Sequence, residues 1–365
     1  AVVERYWHPL PSVAVGECDS EDRGARGRFA ELMRQYLQHR HFSEGCASSY
    51  MVVARSVIRY EGYVRAEGGG RRDFIFDVDT VSREVIEDYE AYLLAEGQLL
   101  QEHRQLFTEL CGSYPAWLRS RIRKVGTRGS NSAVQYVWML KAFFRWLVET
   151  GRTQNRPFEG LKIGMAKYGT PYYITTEERD RVAAAPMPTA ELAVLRDVFV
   201  FQCYVGCRAG DMMRLTAENV EAGFLTYAPH KTKDDGRQVR LARVPLHRVA
   251  QALIAKYAGQ DARGRLFPFV SLQAYNVAIK AVLRAAGVTR GVVVRNSVTG
   301  ENEVRPICDV ASSHMARRTF VGNAYKLVAD PNIIGKMSGH VDGSRAFARY
   351  RNIEDATLRS VIDRL

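Results

Sequence analysis

The 365-residue chain has only six cysteines, Cys18, Cys46, Cys111, Cys203, Cys207 and Cys308, and no two of them form a C-x-x-C pair. That scatter excludes the ligand spacing of a structural zinc site and the framework of a disulfide-stapled secreted domain, and it fits a reducing compartment. Cys203 and Cys207 stand four apart in an expected helix with no histidine beside them, so they are expected to pack as small buried residues. No apolar run reaches the ~18 to 20 residues of a membrane span, and the opening AVVERYWHPLPSV has no signal-peptide core. A soluble cytoplasmic protein without a membrane partner is the expectation. Internal repeats and low-complexity tracts are also lacking, which excludes solenoids and linkers of biased composition.

Acidic residues are the minority charge, 40 Asp and Glu against 52 Lys and Arg, leaving a formal +12. A surface potential of that sign favours polyanions over acidic proteins or neutral metabolites, which makes nucleic acid the first partner to consider. At 46% hydrophobic and 25% charged the composition is that of a folded globular chain, long enough for two domains with a core each.

Residues 1–27 hold Pro9, Pro11, Gly16, Gly24 and Gly27 among mixed charges without a sustained period, and are expected to form an arm or loose cap. Helical spacing begins at Phe29 with Leu32, Met33, Tyr36 and Leu37, and returns over Tyr50 to Tyr63 before a stop at Gly68-Gly69-Gly70. A third helix is expected over Thr80 to Leu94, with Thr80 or Ser82 as its N-cap, and a further helical stretch over 98–122 is interrupted at Tyr114-Pro115. The loop KVGTRGSNS then leads into Val134 to Glu149, where Tyr136, Val137, Leu140, Phe143, Phe144 and Leu147 make an apolar stripe. Lys141 and Arg145 lie on the other face. Together with Arg128 they are either a solvated surface or contacts to DNA phosphates.

Two prolines and several glycines in RPFEGLKIGMAKYGTPYYIT mark a linker, placed at 166–174, between a helical domain over 28–165 and a second domain over 175–365. The second domain opens on TTEERDRV, with Thr175 or Thr176 capping a helix whose first turn is acidic. Helical spacing follows from Ala190 to Tyr204, then a short β region, FLTYAPHKTK and RQVRLARVPL, around a turn at Asp234-Asp235-Gly236. The remainder reads as helices separated by loops. The expected fold class is therefore mainly α with a small β-sheet (α+β).

In order, the second domain carries YVGCRAGDMMRLT, HKTKDDGRQVRLARVPL, SSHMARRTFVGNA, MSGH and AFARY. Singly, each motif is ordinary; an arginine on a helix is usually a surface charge and a tyrosine is usually packing. In this order and local context they resemble the tyrosine recombinase family of phage and mobile-element integrases and Xer resolvases. The resemblance covers 175–365 and, more weakly, the helical region before it. It implies a helical core-type DNA-binding domain joined to a catalytic domain as a C-shaped clamp on duplex DNA.

The chemistry of that family requires attack on a phosphodiester, neutralisation of its nonbridging oxygens and protonation of the leaving 5′ oxygen. By resemblance, Arg208 in G-C-R-A-G-D and Arg317 in H-M-A-R clamp the phosphate with forked, permanently charged guanidiniums. His314, one helical turn before Arg317, and His340 in G-H supply further donors or proton carriers. Lys231, with Lys233 as the competing assignment, is the β-hairpin lysine that protonates the 5′ oxygen. Asp211 braces the arginine side from one turn beyond Arg208, and Tyr350, ten residues after His340, is the nucleophile. A phenol of pKa ~10 needs a cationic surrounding to react at neutral pH. Tyr325 is expected to pack.

Leu358, Val361, Ile362 and Leu365 fall at helical spacing in the final segment. That stripe either packs on its own domain or, as the resemblance implies, docks on a neighbouring protomer. The resemblance further implies a homotetramer on two DNA sites, a 3′-phosphotyrosine, a Holliday junction, no metal or other cofactor, and accessory DNA-bending or directionality proteins as further partners. A mobile-element integrase or transposase is the leading expectation. A DNA invertase or an Xer-like resolvase would carry the same residues, a type IB topoisomerase shares the tyrosine chemistry, and a non-catalytic DNA-binding accessory protein is the alternative of another class.

Overall fold

A computed structural model describes residues 20–67, 71–119, 128–230, 241–328, 330–339 and 362. The chain forms two compact units, the first gathering residues up to Tyr168 together with Arg295–Glu301, the second holding Gly169–Val294 and the residues from Asn302.

The first unit is helical: α1 (Ser20–Arg40), α2 (Glu44–Glu67), α3 (Arg83–Glu102), α4 (Arg104–Gly112) and α5 (Ser130–Glu149). The α1 helix starts well before Phe29 and takes in part of the expected arm. Its opening SEDRGARG is polar, which left no apolar period to read. Ser82 occupies the N-cap of α3 but its side chain makes no cap bond, and Thr80 lies in the preceding turn. The apolar stripe of α5 is buried at Val137, Leu140, Phe143, Phe144 and Leu147, and Trp146 is buried beside it. Aromatic rings dominate this core. Tyr36 meets Tyr50, Phe143 and Trp146 at centroid distances of 5.2, 5.5 and 5.2 Å, a geometry in which ring edges face neighbouring ring faces. Phe158, Leu161 and Ile163, beyond α5, pack against the same core.

Glu96 on α3 is fully buried inside it and accepts from Arg59 at 2.6 and 2.8 Å and from Arg128. A buried carboxylate between two guanidiniums is a charge that its partners must neutralise, since burial alone opposes ionisation. Arg128 also stacks over Tyr136, 4.4 Å from the ring centre.

The second unit is built around α7 (Ala190–Val205), buried on nearly all sides by α6 (Thr176–Ala184), α9 (Arg248–Tyr257), α10 (Leu272–Ala285) and α12 (Ser313–Tyr325). An all-round apolar helix is the expected centre of such a layer. Thr175 accepts from Glu178 N while Glu178 accepts from Thr175 N, a closed capping box that starts α6. Between α7 and α9 lie the four-residue helix α8 (Ala209–Met212) and an antiparallel sheet in the order β1 (Val220–Glu221), β2 (Phe224–Tyr227), β3 (Ala242–Pro245). Leu225 faces Val244 and Tyr227 faces Ala242 across the β2–β3 ladder, and this set is turned inward. Residues 302–306 depart from the expectation of helices alone: β4 (Gly291–Arg295) and β5 (Asn302–Pro306) form a two-stranded sheet. NEVRP buries almost nothing, so no inside–outside alternation marked it as a strand. Two further helices, α11 (Ile307–Val310) and α13 (Pro331–Ser338), flank α12, and α13 packs on β3. Among the described residues no helix is long and apolar enough to cross a membrane.

Candidate active site

The site is assembled where α7 ends. Gly206 closes that helix at φ +66°, the left-handed conformation that favours glycine. A side chain there would also run into the Phe320 ring of α12, 2.3 Å from an added Cβ. The reversal delivers Cys207 inward and Arg208 to the start of α8. Burial pushes the Cys207 thiol up to about 12, Asp211 acting in the same direction and Arg317 against it. Cys207 is therefore a neutral packing group, as expected, and Cys203 is buried likewise.

Arg208 is partly open, with its side chain 29% exposed, and lies 3.9 Å from Asp211, which is buried. That separation is an ion pair without a hydrogen bond. The other oxygen of Asp211 accepts from the backbone N–H of His230 at 2.9 Å. One carboxylate thus joins the Arg208 turn to the chain immediately before Lys231.

Arg317 makes the second junction. It is 1% exposed, and its Nη1 donates to the carbonyl of Gly206 at 2.8 Å and to that of Ser338 at 2.6 Å. Gly206 lies two residues before Arg208, and Ser338 two before His340. Gly339, at φ +66°, ends α13 with an added Cβ only 2.8 Å from Pro229, so α13 abuts the strand end that leads to His230. The turn at Gly206 and Arg208, the strand end at Pro229 and His230, Arg317 on α12 and the end of α13 at Ser338 and Gly339 therefore converge through backbone ties made by Asp211 and Arg317.

His314 occupies the first turn of α12 and is exposed, whereas Arg317 is buried one turn further in. The helix end leaves His314 at the surface, while the carbonyls of Gly206 and Ser338 hold Arg317 inside. Ser312 does not cap α12, and the N–H of Ser313 is met by Asn276 of α10 at 2.8 Å. Tyr325 packs beside Val321 and Ile334.

Lys231, Lys233, His340 and Tyr350 lie outside the described residues, as does the C-terminal stripe apart from Ile362, which is exposed. Of the basic residues proposed for DNA, Arg145 is 67% exposed at its side chain and Lys141 sits 5.2 Å from the ring of the half-exposed Trp138. Arg128 is a correction to both of its readings. Its side chain is 9% exposed and bound to Glu96, so it is an internal counter-charge and neither a solvated nor a phosphate-contacting residue. Missing from the sequence reading was Tyr227, buried on β2 within electrostatic reach of Asp211 and Arg208, a placement that depends on strand pairing. The alternation Leu225, Tyr227 is the only signal that turns it inward.

No family model matches this chain, and no curated protein does. Solved structures do. A λ integrase (residues 75–356) dimer bound to a COC′ core site aligns at TM-score 0.54 and 14% identity over 88% of this chain and 95% of that one. The Tn1549 transposon integrase in complex with a circular intermediate DNA aligns at 0.56 and 11%, over 92% and 98%, and a λ integrase tetramer bound to a Holliday junction at 0.55 and 13%, over 87% and 78%. These are tyrosine recombinases, and the chain has the tyrosine recombinase fold.

Proposed function

We propose that the chain is a site-specific DNA recombinase that cuts and rejoins duplex DNA through Tyr350. The phenolic oxygen attacks phosphorus to form a 3′-phosphotyrosine, the bond to the 5′ oxygen breaks, and Lys231 or Lys233 gives that oxygen its proton. Arg208, Arg317, His314 and His340 hold the phosphate and carry protons, with no metal taking part. Attack by the freed 5′ hydroxyl of a partner strand on the phosphotyrosine breaks the bond to the Tyr350 oxygen, which takes back its proton, and restores the diester; this passes the exchange through a Holliday junction in a homotetramer on two DNA sites. Integration of a mobile element is the role that fits, since the aligned structures are integrases of a phage and a transposon. The observation that carries this reading is the double tie of Arg317 to the turn before Arg208 and the turn before His340. A net charge of +12 supports a DNA partner.

The burial of Arg317 favours a second reading, a DNA-binding accessory protein without chemistry. A nicked suicide duplex separates the two. Wild type is expected to form a covalent protein–DNA adduct that survives denaturant and EDTA, and Tyr350→Phe to form none while still binding. DNA binding without any wild-type adduct would establish the accessory role instead.

A further inference from the structure

Among the described residues, three polar atoms on the Arg208–Asp211 turn and the neighbouring strand β2 are buried with no hydrogen-bond partner: Nη1 of Arg208, Oδ2 of Asp211 and the hydroxyl of Tyr227. Tyr227 is 5% exposed at the end of β2, two residues before Pro229, which meets Gly339. Burial pushes its phenol far up; Cys207 acts in the same direction, Arg317 against it, Asp211 with it and Arg208 against it, so all four lie within electrostatic reach of the hydroxyl. At neutral pH the hydroxyl is a protonated donor. Asp211 Oδ2 is an acceptor whose nearest cation, Arg208, stands 3.9 Å away.

Buried polar groups in native proteins are almost always paired, and a cluster of three idle ones points to partners acquired in another state. If Arg208 turns outward to a phosphate oxygen, Asp211 loses the cation nearest to it while remaining buried, and a buried carboxylate needs a donor in exchange. The only one of the three idle groups left to donate is the Tyr227 hydroxyl.

We infer that Tyr227 is a positioning residue of this site: its hydroxyl donates to Asp211 Oδ2 when Arg208 engages phosphate, and so holds the carboxylate that anchors His230. Through His230 it fixes the chain entering Lys231. A charge-assisted bond of this kind is a small share of the many phosphate contacts that set affinity for the duplex, so its loss is read chiefly in the cleavage step.

This inference rests on the recombinase reading, and the test uses the full chain with the same nicked suicide duplex. Adduct formation, affinity for the intact duplex and thermal melting are measured for wild type, Tyr227→Phe, Asp211→Asn and the double variant. Tyr227→Phe is expected to melt and bind as wild type does but to form adduct roughly 10- to 100-fold more slowly. The double variant should be no slower than the slower single one, because both changes remove one interaction. An adduct rate within about twofold of wild type for Tyr227→Phe overturns the inference alone, as do losses that multiply in the double variant. A lower melting point for Tyr227→Phe overturns it too, since a hydroxyl idle in the unliganded chain cannot support the fold. Absence of adduct with wild type removes the recombinase reading and this inference with it.

Discussion

Residue by residue, the basic side chains of this protein divide by what they face. Arg59, Arg128 and Arg317 are turned inward to a carboxylate or to carbonyls, whereas Lys141 and Arg145 stand on the outer side of α5. Motif order singled out Arg208, His314 and Arg317 as candidates because their types and sequence are specific in combination. The same order gave no means of telling an inward arginine from an outward one, and Arg128 shows the cost: it lies within a Gly/Ser/Arg loop, and only its pairing with Glu96, 32 positions earlier, sends it inside. If Lys141 and Arg145 contact DNA phosphates, replacing both by alanine should weaken binding across unrelated sequences and reduce the slope of log affinity against log salt by about 2. A titration of labelled duplex at several salt concentrations checks this, and an unchanged slope would return both to the solvated face of their helix.

Among the elements, legibility followed locality. The capping box at Thr175 and the glycine stop at Gly206 are written in adjacent residues, and both stand in the structure as their types require. Strand β5 was not legible, because an exposed strand has no buried face to impose a period, and neither was the inward set Leu225 and Tyr227, because strand pairing decides it. The packing of α7 onto α9 has an electrostatic component. Asp197 on α7 accepts from Lys256 at 2.7 Å, from Tyr257 at 2.8 Å and from Arg196 at 2.9 Å. Burial tends to raise this carboxyl, but the bonds from Lys256, Arg196 and Tyr257 outweigh it and hold the carboxyl below its ordinary value. A depressed folded value means stability that is complete above the unfolded value of about 3.9 and lost as pH falls from there through the lower folded value. Urea unfolding of wild type should therefore weaken over that acid window, and Asp197→Asn should be less stable at neutral pH with a flatter dependence on acid.

For the molecule as a whole, two separate cores mean that damage to one need not reach the packing of the other. Glu96 offers the sharpest case. Glu96→Gln leaves Arg59 and Arg128 as buried cations without a counter-charge and should cost the first unit about 3 to 5 kcal/mol. Hydrogen exchange read along the chain is expected to show loss of protection in α2, α3 and α5 while α7 and α12 keep theirs. Equal loss in both units would mean that they unfold as one.

The ties that gather the candidate active site have one property in common. Arg317 grips the carbonyls of Gly206 and Ser338, and Asp211 takes the N–H of His230. Every partner atom is main chain, present whatever side chain a position carries. Apart from the glycines that the backbone itself requires at Gly206 and Gly339, such clasps are blind to the spelling of the loops they hold: the three segments can drift in sequence while two side chains, one cation and one anion, keep them assembled. That economy is a physical route by which a fold can persist alongside relatives in shape with which it shares barely one residue in eight.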